Sequence, residues 1–419
     1  MNGSPSIKPM EKESYNYHTL PNGIRLIHKQ VSSPICHVGL VVNTGTRDER
    51  KEENGMAHFI EHIIFKGTKK RNTYQVLSYL ENVGGDLNAY TTKEETFFYA
   101  SVLNTYLGRA LELLCDIVFN SSFNTKDIET EKDVVIEEIK SYQDNPSEAI
   151  FDEFENLIFD GHPLGTNILG TKKSVKSFTQ KKINEFIKQN YHTDQMVIAI
   201  VGNVSFNKCI ALTEKHAGVI SENMRNIQRQ AFTQYSVLSK TKRIHGLQAH
   251  AMIGRALPHY DEKKNQTAVL LNNILGGPGL NSRLNLAIRE KNGYVYNIES
   301  SYAALSDAGI FSVYAASDTK NIERITDLIY KEMHKLQTLK LGTLQLHRTH
   351  LQLIGQTCIT YESNLNEMLS IGKNHLIYKE VEPIDCIIKR IESITASDLI
   401  ELARDLFNKE SLSTLLFKK

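Results

Sequence analysis

The chain has 419 residues, which is enough for two or three domains with ample hydrophobic core. Its 49 lysines and arginines nearly balance 48 aspartates and glutamates, so the formal net charge is +1 and nothing indicates a nucleic-acid-binding surface. Five scattered cysteines, an odd number without a C-x-x-C pair, argue against a disulfide framework or a cysteine-based structural zinc site.

The N-terminal residues 1–14 are polar and lack the apolar core of a secretory signal. No stretch approaches the roughly 20 apolar residues that a membrane-spanning helix needs. We therefore expect a disordered lead at residues 1–14, no membrane association, and a cytoplasmic protein whose thiols are reduced.

The first half of the chain predicts alternating strands and helices, beginning after a tight turn at residues 20–23. Strands are expected at residues 24–28, 36–43, 86–92, 96–103 and 196–204. Helices are expected at residues 73–83, 106–119, 125–143, 150–158, 179–191 and 207–217. One more helix, around residue 60, carries the most informative motif of the sequence.

Residues 58–62 read His-Phe-Ile-Glu-His, the H-x-x-E-H pattern of inverzincin metallopeptidases. In a helix, His58 and His62 lie one turn apart on one face, a spacing at which two imidazoles can hold one zinc ion. Glu61 lies on the same face, where its carboxylate can act as general base toward a metal-bound water. The opposite face is apolar and is expected to pack on the core; it consists of Met56, Phe59, Ile60 and Ile63.

The limits of this helix also follow from the sequence. Asn54 is the expected N-cap and Gly67 the expected stop. The alternative interpretation of the motif is a surface helix with two solvated histidines and a glutamate in a salt bridge.

The helix expected at residues 125–143 carries two glutamates on its apolar face. Glu131 and Glu138 lie seven residues apart on the stripe that also contains Ile128 and Val135. Carboxylates on such a face are unfavourable unless they are paired, hydrogen-bonded or bound to metal. Because a zinc peptidase needs three protein ligands and one open position, Glu138 is the natural third ligand. Glu131 then lies near the metal without binding it. Considered alone, either glutamate is also compatible with a structural role.

Residues 219–236 are polar and poorly periodic, which predicts a linker. Beyond it the order of elements repeats, with strands at 250–256, 296–302, 309–315 and 412–417 and helices at 266–275, 284–290, 320–337, 341–361 and 363–377. The repetition predicts an α+β fold of two homologous domains, each a mainly antiparallel sheet packed with helices, at residues 15–218 and 237–419. The second half has no H-x-x-E-H motif, so only the first is expected to bind zinc.

These motifs together resemble the pitrilysin/insulysin family of zinc metallopeptidases, and in particular its short, processing-peptidase-like members. Residues 55–68 are similar to the family signature, residues 84–91 to its next block, and residues 131–138 to its third-ligand helix. Residues 20–23 belong with the signature, and further matches are at residues 164–165, 168–171, 276–277, 282–284 and 288–293. The resemblance covers nearly the whole chain.

The resemblance implies one zinc ion per chain, bound by His58, His62 and Glu138, with Glu61 as general base and Glu131 assisting. It implies that the strand with Asn88, Ala89 and Tyr90 pairs with the substrate backbone by β-addition. Arg289 and Tyr296 of the non-catalytic half match the family's Arg–Tyr pair, which contacts the substrate main chain. Tyr294 stands where the family usually has an apolar residue, which leaves open which tyrosine serves.

The function implied is a zinc-dependent endopeptidase that encloses unfolded peptides in a chamber between duplicated halves. Short members of the family work as homodimers or as heterodimers with a related subunit, so a second chain is an expected partner. Two other classes stay open at this stage: a non-catalytic structural or binding subunit of a peptidase heterodimer, and a zinc-stabilised binding module. The presence of both histidines, Glu61 and Glu138 favours the enzyme.

Overall fold

The computed structural model describes residues 15–419, so the predicted disordered lead at 1–14 lies outside the described residues. The strands are β1 (Asn16–Thr19), β2 (Arg25–Gln30), β3 (Ile35–Val42), β4 (Asp86–Thr91), β5 (Thr96–Leu103), β6 (Met196–Gly202), β7 (Ser239–Arg243), β8 (Ala249–Pro258), β9 (Asn297–Ala304), β10 (Ala308–Ser317) and β11 (Ser413–Lys418). They form two sheets, ordered β1-β2-β6-β3-β5-β4 and β7-β11-β8-β10-β9.

The helices of the first half are α1 (Met56–Ile63), α2 (Thr73–Glu81), α3 (Leu107–Asn120), α4 (Thr125–Asp144), α5 (Pro146–Ile158), α6 (Lys172–Lys176), α7 (Gln180–Asn190) and α8 (Phe206–Ala217). Those of the second half are α9 (Glu262–Gly276), a π-helical segment (Asn285–Glu290), α10 (Ile322–Thr338), α11 (Thr343–Tyr361), α12 (Asn364–Tyr378), α13 (Ile384–Ser393) and α14 (Ala396–Leu406). Across residues 15–419, every helix is too short or too polar to cross a membrane.

The five strands of the second sheet repeat the arrangement of five strands of the first, and β1 at the edge of the first sheet has no counterpart. In the first, β2 pairs in parallel with β6, and the pairs β6–β3, β3–β5 and β5–β4 are antiparallel. In the second, β7 pairs in parallel with β11, and β11–β8, β8–β10 and β10–β9 are antiparallel. The same pairing sequence in both sheets confirms the predicted fold class, two duplicated α+β domains with mainly antiparallel sheets.

The compact units are not continuous in sequence. Among the described residues, the first comprises 15–139, 167–229 and 358–385, and the second comprises 140–166, 230–357 and 386–419. This division differs from the predicted boundaries at 15–218 and 237–419, since each half of the chain supplies one helix to the other half's unit. Ile150, Phe154 and Ile158 of α5 pack in the core of the second sheet. Met368 and Ile371 of α12 pack in the core of the first.

The first sheet places one strand where its backbone can accept a further strand. Strand β6 in the sheet interior is buried along its whole length, as its sequence MVIAIVG suggests. Strand β4 lies at the edge, pairs only with β5, and is partly exposed at every residue. Its outer N–H and C=O groups are therefore available for pairing. Helix α1 packs against β4, so the predicted metal helix lies beside this edge.

Candidate metal centre

Helix α1 separates apolar from polar residues as the sequence predicts. Met56, Phe59 and Ile60 are fully buried on one face. On the other face His58 is 8% exposed. Glu61 and His62 are partly exposed there. The helix continues as a short 3-10 turn, Ile64–Lys66, and ends at Gly67, the predicted stop. Burial of the apolar stripe therefore holds the helix while its polar face stays free for chemistry.

The start of α1 differs from the prediction that Asn54 is its N-cap. The N-cap residue is Gly55, in the left-handed region with φ 89°. The capping carboxyl group comes from Glu49, six residues earlier, which accepts hydrogen bonds from the backbone N–H groups of Gly55 and Ala57, both at 2.8 Å. Burial raises the pKa of Glu49 to about 8, against the opposing effect of these hydrogen bonds. Asn54 instead donates its side-chain amide to the Asn167 carbonyl at 2.9 Å. A cap supplied from six residues upstream does not follow the usual pattern of a capping side chain at the N-cap position itself.

A backbone contact between two glycines fixes the same end of the helix. Gly170, with φ +76°, packs directly on Gly55, and a Cβ on Gly170 would lie 2.4 Å from the Asn54 carbonyl oxygen. A Cβ on Gly55 would lie 2.7 Å from the Gly170 Cα. The block at residues 168–171 noted in the sequence thus serves to position the metal helix.

Substituting Gly170 by alanine is expected to destabilise the protein through this contact. Gly161 has nearly the same conformation, φ +71°, with open space where a Cβ would lie, so Gly161→Ala is the matched control. Both variants bear the left-handed strain of roughly 1–2 kcal/mol, but only Gly170→Ala adds the overpacking penalty of about 1–3 kcal/mol. Melting temperatures of the two variants measure the difference. Equal melting temperatures would show that the contact relaxes without cost.

Two histidines and a glutamate converge at the polar face of α1. His58, His62 and Glu138 each offer a ligand atom, and these atoms all lie within 4.8 Å of one another. His58 Nε2 is 3.8 Å from Glu138 Oε1, and His62 Nε2 is 3.4 Å from Glu138 Oε2. The structure thus brings together the three ligands predicted from sequence, and they form the His2Glu set typical of catalytic zinc. Among residues 15–419, this is the one group of three or more histidine, cysteine or acidic side chains that could hold a metal ion.

The protonation states at the site fit a bound cation. Burial, together with the neighbouring His62 ring, lowers the pKa of His58 to about 3, so its imidazole is neutral and its lone pair available. Burial acts to lower the pKa of His62 as well, but the hydrogen bond to Glu131 and the nearby Glu138 and Glu61 carboxylates raise it above its ordinary value. Three carboxylates around His62 favour a positive charge at its ring, and a bound zinc ion can supply that charge in place of a proton.

Glu131 orients the second histidine. Its carboxylate is 3% exposed, with Oε1 3.0 Å from His62 Nδ1 and Oε2 2.8 Å from Lys66 Nζ. Burial acts to raise the pKa of Glu131, but the hydrogen bonds with His62 and Lys66 outweigh it and lower the pKa. An ionised Glu131 accepts the Nδ1 proton of His62 and leaves Nε2 as the ligand atom. The predicted neighbouring role of Glu131 has this geometry, and Lys66 is a partner that the sequence did not indicate.

Glu131→Gln is expected to weaken zinc binding by about 10- to 100-fold, the usual effect of losing a carboxylate behind a histidine ligand. The glutamine amide accepts the Nδ1 proton of His62 less strongly than a carboxylate does. The substitution also removes the negative charge that pairs with Lys66. Zinc dissociation constants from chelator competition measure the effect. Glu129→Gln, on the same helix with its side chain 63% exposed, is the control. Unchanged zinc affinity in Glu131→Gln would remove Glu131 from the site.

Glu61 faces a groove beside the ligands. The groove, with a volume of about 360 Å³, is lined by Glu61 and His62 together with Asn88 and Ala89 of β4 and residues of α2. Burial raises the pKa of Glu61 above its ordinary value, against opposing effects of Thr91 and His62. A raised pKa brings the carboxylate toward the range suited to a general base at neutral pH.

The predicted substrate strand lies along the same groove. Asn88 and Ala89 line it, and Tyr90 follows on β4, where its ring is 5.6 Å from the ring of Phe97. Because β4 is the edge of the sheet, an extended peptide has a row of free backbone groups to pair with. Pairing with substrate stays a prediction, and the edge position supports it.

Arg289 and Tyr296 belong to the second unit, together with Tyr294. The Arg289 guanidinium carbon is 6.0 Å from the centre of the Tyr296 ring, and Tyr296 is 85% exposed. Tyr294 is instead partly buried, with the Arg324 guanidinium 4.8 Å from its ring. The arrangement favours Tyr296 over Tyr294 as the tyrosine available to a ligand. The predicted contact of this pair with substrate stays a prediction.

Comparison with known families matches both halves of the chain. The family described as "Insulinase (Peptidase family M16)" matches residues 25–172, and "Peptidase M16 inactive domain" matches residues 177–352. The chain is 32% identical over 412 residues to an uncharacterized zinc protease of Streptomyces coelicolor, covering 95% of this chain and 88% of that protein. It is 29% identical over 402 residues to an uncharacterized zinc protease of Bacillus subtilis, covering 95% and 97%.

Solved structures share the fold over nearly the whole chain. A protease from Helicobacter pylori superposes with a TM-score of 0.90 at 20% identity, covering 97% of this chain and all of that one (100%). A peptidase M16 inactive domain from Pseudomonas fluorescens superposes with a TM-score of 0.89 at 16% identity, covering 96% and 98%. At these identities the structural matches establish the architecture.

Proposed function

The chain belongs to the peptidase M16 (insulinase) family, and from this premise we propose that it is a zinc-dependent endopeptidase that hydrolyses unfolded peptides. The observation that carries the proposal is the convergence of His58, His62 and Glu138 beside a groove that also contains Glu61. A purely structural zinc site has four protein ligands and no need of a carboxylate base. Three ligands next to a partly buried glutamate are what a hydrolytic site requires.

Zinc held by these three side chains would polarise the substrate carbonyl and acidify a water molecule. Glu61, with its raised pKa, takes the proton from the attacking water and delivers it to the leaving amine. Glu131 keeps the His62 ring in one tautomer throughout. The free edge of β4 positions an extended peptide by backbone pairing, so that folded proteins are poor substrates.

Residues of the second unit are proposed to complete substrate binding. Arg289 and the exposed Tyr296 would hydrogen-bond the substrate main chain and stabilise negative charge on the scissile carbonyl oxygen. The working assembly is proposed to be a homodimer or a heterodimer with a related subunit, which sedimentation of the purified chain would test.

The test of the proposed function is hydrolysis of a mixed-sequence quenched peptide library by the purified, zinc-loaded chain, with and without a zinc chelator. We expect internal cleavage that the chelator abolishes and added zinc restores. Cleavage that survives the chelator would contradict zinc catalysis. Stoichiometric zinc without cleavage would instead support the second candidate, a non-catalytic subunit. The match of residues 177–352 to an inactive domain is the observation that favours a non-catalytic subunit as the second candidate.

A further inference from the structure

Two arginines of the linker segment, residues 219–236, hydrogen-bond the loop that precedes the metal helix. Arg225 Nη2 donates to Asp48 Oδ1 at 2.7 Å, while Arg229 donates from Nε to Oδ1 at 2.9 Å and from Nη2 to Oδ2 at 2.7 Å. The Asp48 side chain is only 3% exposed. Burial acts to raise the pKa of Asp48, but Arg229 and Arg225 outweigh it and lower the pKa. Two arginines thus donate hydrogen bonds to one buried, ionised carboxylate, and such charge-assisted hydrogen bonds are strong.

The same arginines fix the backbone around Asp48. Arg225 Nη1 donates to the Asn43 carbonyl at 3.1 Å, and Arg229 Nη2 donates to the Glu94 carbonyl at 2.6 Å. Asp48 Oδ2 also accepts the backbone N–H of Gly45 at 3.0 Å. The two arginines therefore connect the segment before the metal helix, at Asn43 and Asp48, with the turn between β4 and β5 at Glu94.

The residue after Asp48 reaches the metal helix itself. Glu49 accepts the N–H of Gly55 on Oε2 and the N–H of Ala57 on Oε1, each at 2.8 Å. N–H groups in the first turn of a helix have no intrahelical partner, so an outside acceptor decides how firmly that turn is held. His58 lies in this first turn, directly after Ala57, whereas His62 is held separately by Glu131.

We propose that Glu49 is a positioning residue for the zinc ligand His58, and that Arg225 and Arg229 hold Glu49 in place through the neighbouring Asp48. The segment that joins the two halves of the chain thereby contributes to the geometry of the metal centre. This inference rests on the proposed zinc site but does not depend on peptidase activity, because its test measures metal binding.

The primary variant is Glu49→Gln, which keeps the size of the side chain. The glutamine offers one acceptor oxygen to two N–H donors that need two, so one backbone N–H of the first turn meets an amide NH2 group. Glu53→Gln is the matched control. Glu53 lies in the same loop, is 4% exposed, and accepts the backbone N–H of Arg50 at 2.9 Å, which lies outside α1.

Two readouts separate positioning from stability. The first is the zinc dissociation constant from chelator competition, at a temperature where all variants are folded by circular dichroism. The second is the visible absorption of the cobalt(II)-substituted protein, which reports ligand geometry. We expect Glu49→Gln to weaken zinc binding by about 10-fold, the low end of the range for groups that orient metal ligands, and to change the cobalt spectrum. Glu53→Gln should lower the melting temperature and leave both readouts unchanged.

Arg229→Ala tests the contribution of the linker segment, with Arg404→Ala, an exposed arginine that contacts a backbone carbonyl, as control. We expect at least about a threefold loss of zinc affinity in Arg229→Ala alone. Wild-type affinity in Arg229→Ala would overturn the role of the linker segment.

Wild-type affinity and an unaltered cobalt spectrum in Glu49→Gln would overturn the positioning role while leaving the proposed zinc site intact. A wild-type chain that binds no zinc would overturn both, and a zinc-loaded chain without peptidase activity would overturn only the proposed function.

Discussion

Replacing Glu61 by glutamine is expected to lower kcat for peptide hydrolysis by at least about 100-fold while zinc stays bound. The amide cannot accept the proton of the attacking water, and loss of a general base costs about 10²- to 10⁴-fold in rate. Glutamine keeps the shape of the side chain and removes a partly buried carboxylate whose pKa burial raises. The melting temperature should therefore equal or exceed that of the wild type, because the desolvation penalty disappears.

Three measurements on the Glu61→Gln protein make this expectation specific: zinc content, melting temperature and kcat on a cleaved library peptide. Glu52→Gln is the control, since Glu52 is an exposed carboxylate that lies outside α1 and outside the ligand group. Full activity in Glu61→Gln would remove Glu61 from the mechanism. Lost zinc would instead mean that Glu61 supports the metal rather than the proton transfer.

The residues that hold the metal could be predicted because their signals are local or paired. His58 and His62 are four residues apart, and helix geometry alone places them on one face. Glu138 stood out as a carboxylate on an apolar helix face, and the structure places it 3.4 Å from His62. A carboxylate that contradicts the hydrophobic pattern of its helix marks a site, because leaving it unpaired there would be unfavourable.

The cap of the metal helix could not be predicted from its flanking residues. Asn54 has the right chemistry for an N-cap, yet the tertiary structure sends its side chain to Asn167 and brings Glu49 to the helix start. An asparagine at the N-cap or a glutamate several residues earlier can each accept hydrogen bonds from the first N–H groups of a helix. Only the folded loop, with Asp48 held by two arginines, decides between them.

The exchange of helices between the two units could not be predicted from the sequence either. The pattern Ile150, Phe154 and Ile158 shows that α5 has an apolar face, but not which sheet covers it. Strand β7, with the sequence SKTKR, is exposed at every residue and exists only through its pairing with β11. By contrast, the helices predicted from sequence do not include α14, although its capping box, Thr395 with Asp398, indicates a helix N-terminus.

Replacing Glu138 by glutamine is expected to weaken zinc binding by at least about 100-fold. Loss of a group that merely orients a ligand costs about 10- to 100-fold, so loss of a ligand lies at or beyond the upper end. The Glu138 side chain is 39% exposed, so the substitution should leave the fold intact. Glu137→Gln is the control, because this exposed neighbour on α4 lies outside the ligand group.

Zinc dissociation constants of the Glu138→Gln and Glu137→Gln proteins, with peptide hydrolysis at limiting and at saturating zinc, separate metal binding from catalysis. We expect Glu138→Gln alone to lose affinity, and to lose activity at limiting zinc, because two histidines without the carboxylate hold zinc weakly. Wild-type affinity in Glu138→Gln would contradict its role as third ligand. The nearby Glu131 could not replace it, since both of its oxygens are already engaged by His62 and Lys66.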